Sequence, residues 1–159
     1  MNLNSAMQRR PRLKTDWSPN SPEPELGWQV QPEPATTACT IILASGIEDG
    51  GTRATLALSM ACTALSMDAD THVFLVGKGS YWAYQGPGRE IQVNGFPALR
   101  ELVANYLELG GSMGVCAACD EARCSLGVDE ASVPRWPEIQ VQGMATLMER
   151  MVDGRVVTF

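Results

Sequence analysis

The residues with chemistry to offer sit in "GSMGVCAACDEARCSLG", residues 111–127, where Cys116, Cys119 and Cys124 fall within nine positions of a chain that has five cysteines in all. Thiols this close suit a metal cage, a dithiol–disulfide couple, a sulfur-handling nucleophile with neighbours, or simple packing. A zinc site takes four ligands, usually as two spaced pairs, and there is no second CxxC and no nearby histidine. Zinc or an iron–sulfur cluster therefore needs Cys62, His72 or another chain as fourth donor. A thioredoxin-like couple has its CxxC at a strand-to-helix junction but lacks the WCxxC context and the topology of that fold. Coincidental packing is the harder reading, because the three thiols cluster at one place.

The elements that must position these thiols are legible from residue 38 onward. "CTIILAS" (39–45) reads as a buried strand, "GIEDGGT" as a glycine-rich turn, and "RATLALSMACTALSM" as a helix with Leu56, Met60, Thr63, Ala64 and Met67 on its apolar face. "THVFLVG" (71–77) is a second strand, and the loop "GKGSYWAYQGPG" follows. "FPALRELVANYLELGG" then gives a helix with Pro97 near its start, Leu99, Leu102, Val103 and Tyr106 on its core face, and Gly110 and Gly111 as its stop. "SMGVC" is a short strand ending at Cys116, with a helical turn after it through Arg123. "EIQVQG" (138–143) is a strand, "MATLMERMVD" a helix placing Met144, Leu147, Met148 and Met151 on one face, and "GRVVTF" a last strand. The order β-α-β-α-β-α-β-α-β predicts an α/β fold: an open, mainly parallel five-stranded sheet with helices on both faces. Ligands and chemistry in such folds gather at the carboxyl ends of the strands, where Cys116 belongs.

That placement is the physical case for Cys116 as a nucleophile. Backbone N–H groups at a helix start lower a thiol pKa; Asp120 and Glu121 work against this, and Arg123 and Arg53 for it. The turn "SGIEDGGTRAT" lacks both the GxGxxG spacing and the GxxxxGK[ST] lysine, and Glu48 and Asp49 would repel an anion, so nucleotide binding is disfavoured. Thr52 is the expected helix cap there. Cys39 and Cys62, on a strand and in an apolar helix, read as small buried hydrophobes. His72, the single histidine, lies at a strand start and reads as solvated or locally hydrogen-bonded rather than catalytic. The loop aromatics Tyr81, Trp82 and Tyr84 either cover the thiol or form a subunit contact, or simply anchor the loop.

At 159 residues with a formal net charge of -6, the chain suits one acidic domain, with no cationic field for nucleic acid or an anionic membrane surface. The odd cysteine count and the lack of a leader pattern argue against a secreted disulfide framework, and no apolar run reaches membrane-spanning length, so a soluble, cytoplasmic protein is expected. Residues 1–35 hold six of the ten prolines and little apolar periodicity, which predicts a flexible tail ahead of a single domain over residues 36–159. Trp17 and Trp28 in that tail either rest on the domain surface or serve as docking residues.

"CTIILASGIEDGGTRATLALSMACTALSMDADTHVFLVGKG", "VCAACDEAR" and "EIQVQGMATLMERMVDGRVVTF" together resemble the DsrE family of sulfur-transfer proteins, in particular its YchN-like branch, over about residues 38–159. The most specific features are the strand-terminal cysteine with x-x-Cys and an arginine seven positions on, and the closing "RVVTF". The resemblance implies assembly into trimers or hexamers and sulfane sulfur carried as a persulfide on Cys116. A persulfidated donor protein would supply that sulfur and an acceptor protein receive it, with no metal or organic cofactor needed. By position, Cys119 matches a second cysteine present in some members and Arg123 the arginine that often follows. Cys124 departs from the pattern, where relatives tend to have glycine. Its role is open: it resolves the persulfide, pairs with Cys119, or is idle. The alternative function is a thiol–disulfide switch or oxidoreductase built on Cys116 and Cys119.

Overall fold

The computed structural model describes residues 38–88, 90–122, 133–152 and 154–159. The proline-rich stretch read as a tail, and Arg123 and Cys124, lie outside the described residues. The elements are β1 (Cys39–Leu43), α1 (Thr52–Ser66), β2 (Thr71–Leu75), a 3-10 segment (Gly77–Ala83), α2 (Leu99–Glu108), β3 (Ser112–Cys116), α3 (Ala117–Glu121), β4 (Gln140–Gln142), α4 (Met144–Val152) and β5 (Arg155–Thr158). The five strands form one sheet in the order β4-β3-β2-β1-β5. All four pairings are parallel, with Ile41 opposite Val73 and Cys116 opposite Gln142. The predicted architecture is therefore the observed one.

Side chains alternate across the strands, and this sorts them into two layers. Ile41, Leu43, Val73, Leu75, Met113 and Val115 face α1 and α2 in the main core. Phe74 and Cys116 point the other way and pack with Leu147 of α4. β2 is paired on both edges and covered on both faces, so all five of its residues are buried, as its continuous apolar run requires. The buried Tyr106 hydroxyl lies 2.8 Å from the Thr71 carbonyl oxygen and 2.9 Å from that of Ser112, tying α2 to the start of β2 and the start of β3.

Two helix faces differ from expectation. α1 buries Ala54, Thr55, Ala57, Leu58 and Ala61, while Leu56, Met60 and Met67 are exposed. Between a sheet and a neighbouring helix the contact is close, and small residues fit there where large ones would push the layers apart. On α4, Leu147 is buried and Met151 half-buried, as expected, but Met144 and Met148 face outward. The core face of α2, Leu99, Leu102, Val103 and Tyr106, is as predicted.

Candidate thiol site

β3 ends at Cys116 and α3 starts at the next residue, so the sulfur stands at the carboxyl end of a central strand. Cys116 lies against Phe74 and Leu147 and is only 5% exposed. One helical turn later, three residues on, Cys119 is brought to the same side, and its thiol interacts with that of Cys116. Cys119 is half-buried and so the more accessible of the two. The Gly77 N–H, just past the end of β2, donates to Cys119 Sγ at 3.1 Å. That is short beside the 3.7 Å between Cys62 Sγ and the Leu102 carbonyl oxygen. Burial pushes the Cys119 thiol above its ordinary pKa, the Gly77 N–H pulls it down, and the neighbouring Cys116 pushes it up again. The net direction is upward, so Cys119 is a protonated thiol near neutral pH.

The segment that supplies this N–H is held tightly. Gly77 has φ 56°, in the left-handed region that favours glycine. At Gly79 a β-carbon would run into the Leu43 carbonyl group, so only glycine lets the segment lie across the end of β1. The indole N–H of Trp82 donates to the Ser45 carbonyl at 2.8 Å, and Trp82, Ala83 and Tyr84 are buried in the main core. The aromatic loop is thus anchored by its rings. Its far end reaches α3, where the Tyr84 hydroxyl donates to Asp120 Oδ1 and Arg135 Nη1 donates to Asp120 Oδ2 at 3.2 Å. Asp120, expected only as a charge opposing a thiolate, is a buried carboxylate that ties α3 to both segments.

The other predicted positions fall elsewhere. In the turn after β1, the Asp49 carboxylate accepts the Gly51 N–H at 3.1 Å and the Arg53 N–H at 3.0 Å. Gly51, not Thr52, holds the N-cap position of α1, and the Asp49 carboxylate takes two of the amides that could otherwise face an anion. The Arg53 guanidinium pairs with Asp49 at 3.8 Å and is exposed; Lys78 pairs with Glu48. Cys39 and Cys62 are half-buried thiols whose pKa burial raises, in keeping with a packing role. His72 is not solvated: it is buried and hydrogen-bonded, with Nε2 3.1 Å from Gln142 Oε1 and Nδ1 2.7 Å from Ser112 Oγ. Among the described residues no three potential metal ligands gather, the third thiol of the motif being outside them.

Gly77 and Arg135 carry no sequence signal that ties them to the thiols, whereas Tyr84 belongs to the aromatic loop already considered as a cover for them. The one available hint is the glycine at the end of the second apolar run, in "FLVGKGS".

Comparison with known proteins bears on the fold and the family. No curated protein matches the chain. Among solved structures, the YchN protein of E. coli superposes with a TM-score of 0.60 at 12% identity, covering 76% of this chain and 97% of that one. A conserved protein of unknown function from Bacteroides thetaiotaomicron gives 0.50 at 14% identity, over 80% and 99% of the two chains. Both show the likeness of fold. The sequence profile of the DsrE/DsrF-like family matches residues 39–159, which takes in every element from β1 to β5. The chain belongs to the DsrE/DsrF-like family, and that membership suggests a role in sulfur relay.

Proposed function

We propose that the protein carries sulfane sulfur as a persulfide on Cys116, receiving it from a persulfidated donor protein and passing it to an acceptor thiol. The observation that carries this reading is a cysteine at the carboxyl end of β3 in a chain of this family. In the net exchange the outer sulfur of the donor persulfide passes to Cys116: the donor S–S bond breaks, an S–S bond to Cys116 forms, and the donor leaves as a thiolate. In the second exchange the acceptor thiolate takes the outer sulfur and Cys116 is regenerated. The sulfane sulfur keeps its oxidation state throughout, and the reaction draws on no other reagent. Protein loaded with inorganic polysulfide and desalted should retain one added sulfur on the Cys116 peptide by mass spectrometry. Cys116→Ser should lower sulfur delivery to an acceptor thiol by about tenfold or more. Sulfur stored on another cysteine and never on Cys116 overturns the reading.

The contact between the Cys116 and Cys119 thiols favours a second reading, a thiol–disulfide switch. Its signature is a reversible loss of two hydrogens with no added sulfur.

The carrier acts as a homo-oligomer, a trimer or hexamer. Met144, Met148 and Val152 recur every four residues along α4 and are 53%, 58% and 75% exposed, an apolar stripe that a second copy of the chain would cover.

A further inference from the structure

We propose that Cys119 is the port of this site, the thiol through which sulfane sulfur reaches Cys116 and leaves it; the proposal rests on the carrier reading above. Three observations carry it. Cys116 is 5% exposed and packs against Phe74 and Leu147, whereas Cys119 is half-buried, so Cys119 is the thiol of the pair that an incoming donor meets first. Cys119 packs against the cluster that contains Cys116, and the two thiols interact, which makes them neighbours for an exchange of sulfur. The Gly77 N–H points at Cys119 Sγ from 3.1 Å, and it sits on a segment fixed by Gly79, Trp82 and Tyr84. A hydrogen bond of this kind strengthens as its acceptor gains negative charge. It therefore stabilises the Cys119 thiolate, the species that must both attack the donor and leave when sulfur moves inward, in the way a fixed amide stabilises a developing oxyanion.

The steps balance without an oxidant or reductant. Cys119 gives its proton to solvent and, as a thiolate against the Gly77 N–H, attacks the outer sulfur of the donor persulfide; the donor S–S bond breaks, an S–S bond to Cys119 forms, and the donor departs as a thiolate that takes up a proton. The Cys116 thiolate then attacks the outer sulfur on Cys119, forming the Cys116 persulfide and releasing the Cys119 thiolate against the Gly77 N–H. Delivery runs the same steps backward toward an acceptor thiolate. The proton of the persulfide stays with the terminal sulfur or exchanges with solvent. At rest the elevated pKa of Cys119 keeps that thiol protonated, which restrains its attack on the inner sulfur of the Cys116 persulfide, the side reaction that would expel sulfide and leave a disulfide.

The test is rapid mixing of the full chain with glutathione persulfide, quenching by alkylation at successive times, and peptide mass spectrometry. In the unsubstituted protein the added sulfur should appear first on Cys119 and then on Cys116. Cys119→Ser should load Cys116 about tenfold more slowly or worse. In Cys116→Ser, where the onward acceptor is gone, the added sulfur should accumulate on Cys119, and a Cys119 that stays unloaded there overturns the port, a readout that does not depend on the folding of Cys119→Ser. Cys116 loading at full rate in Cys119→Ser, or sulfur reaching Cys116 before Cys119, overturns the port while leaving the carrier intact. No added sulfur on either thiol of the unsubstituted protein overturns both.

Discussion

His72 shows how much a single residue's surroundings decide. Burial, and secondarily the positive charge of Arg150, push its pKa down from 6.5 to about 4, against the opposing pull of its bond to Gln142. Between those two values the unfolded chain binds a proton that the folded protein refuses. The stability tied to a neutral His72 is therefore fully present above pH 6.5 and is lost as the pH falls toward 4. We expect the unfolding free energy from urea titrations to fall between pH 7 and pH 4.5 by on the order of 2 kcal/mol attributable to this site. His72→Gln should be less stable at pH 7 by about 1–3 kcal/mol and should show a correspondingly shallower fall; an unchanged pH dependence refutes the assignment. The thiol pair obeys the same logic. The group that is easier to reach, Cys119, is also the one whose ionisation the fold resists, and the single Gly77 N–H is what offsets that resistance.

Among the elements, the 3-10 segment Gly77–Ala83 connects more of the site than any helix does. It begins by bonding the Cys119 sulfur, crosses the end of β1 at Gly79, sinks Trp82 into the core and hands over to Tyr84, which reaches Asp120. Its fit rests on an absent side chain. Gly79→Ala should destabilise the protein by roughly 2–4 kcal/mol, since the added methyl meets backbone that cannot step aside. Gly143→Ala, where a β-carbon meets nothing within 4 Å, should stay within about 0.5 kcal/mol of the unsubstituted protein. Urea unfolding of the two variants side by side checks the contrast, and equal effects would mean that the segment does not lie as described. The same element-level view accounts for α1: its packing is decided by volume between the sheet and α2, not by hydrophobicity, so the alanines lie inside and the leucine and methionines of the expected face lie outside.

For the whole molecule, the unequal cover of the sheet is the feature with the widest consequence. α1 and α2 close one face with a large core, while α4 covers the other with a small cluster and leaves its methionine stripe open. Light scattering at micromolar concentration should give three or six chain masses, and Met148→Glu should shift the population toward monomer; a monomer without any substitution refutes the assembly. No helix among the described residues is long and apolar enough to cross a membrane. The alternation of short apolar runs with amphipathic segments was enough to determine the α/β class, the strand that ends at Cys116 and the core face of α2, because strand and helix periodicity follow from local geometry that each segment carries in itself. The CxxC spacing determined that two thiols meet, since residues three apart in a helical turn share a side. Only the tertiary structure decided which thiol is covered, that a glycine 42 residues away bonds the other, and that Asp120 is paired with Tyr84 and Arg135. Those relations arise where β2, β3 and their following segments are laid side by side, and the chain's local preferences hold no record of that distance.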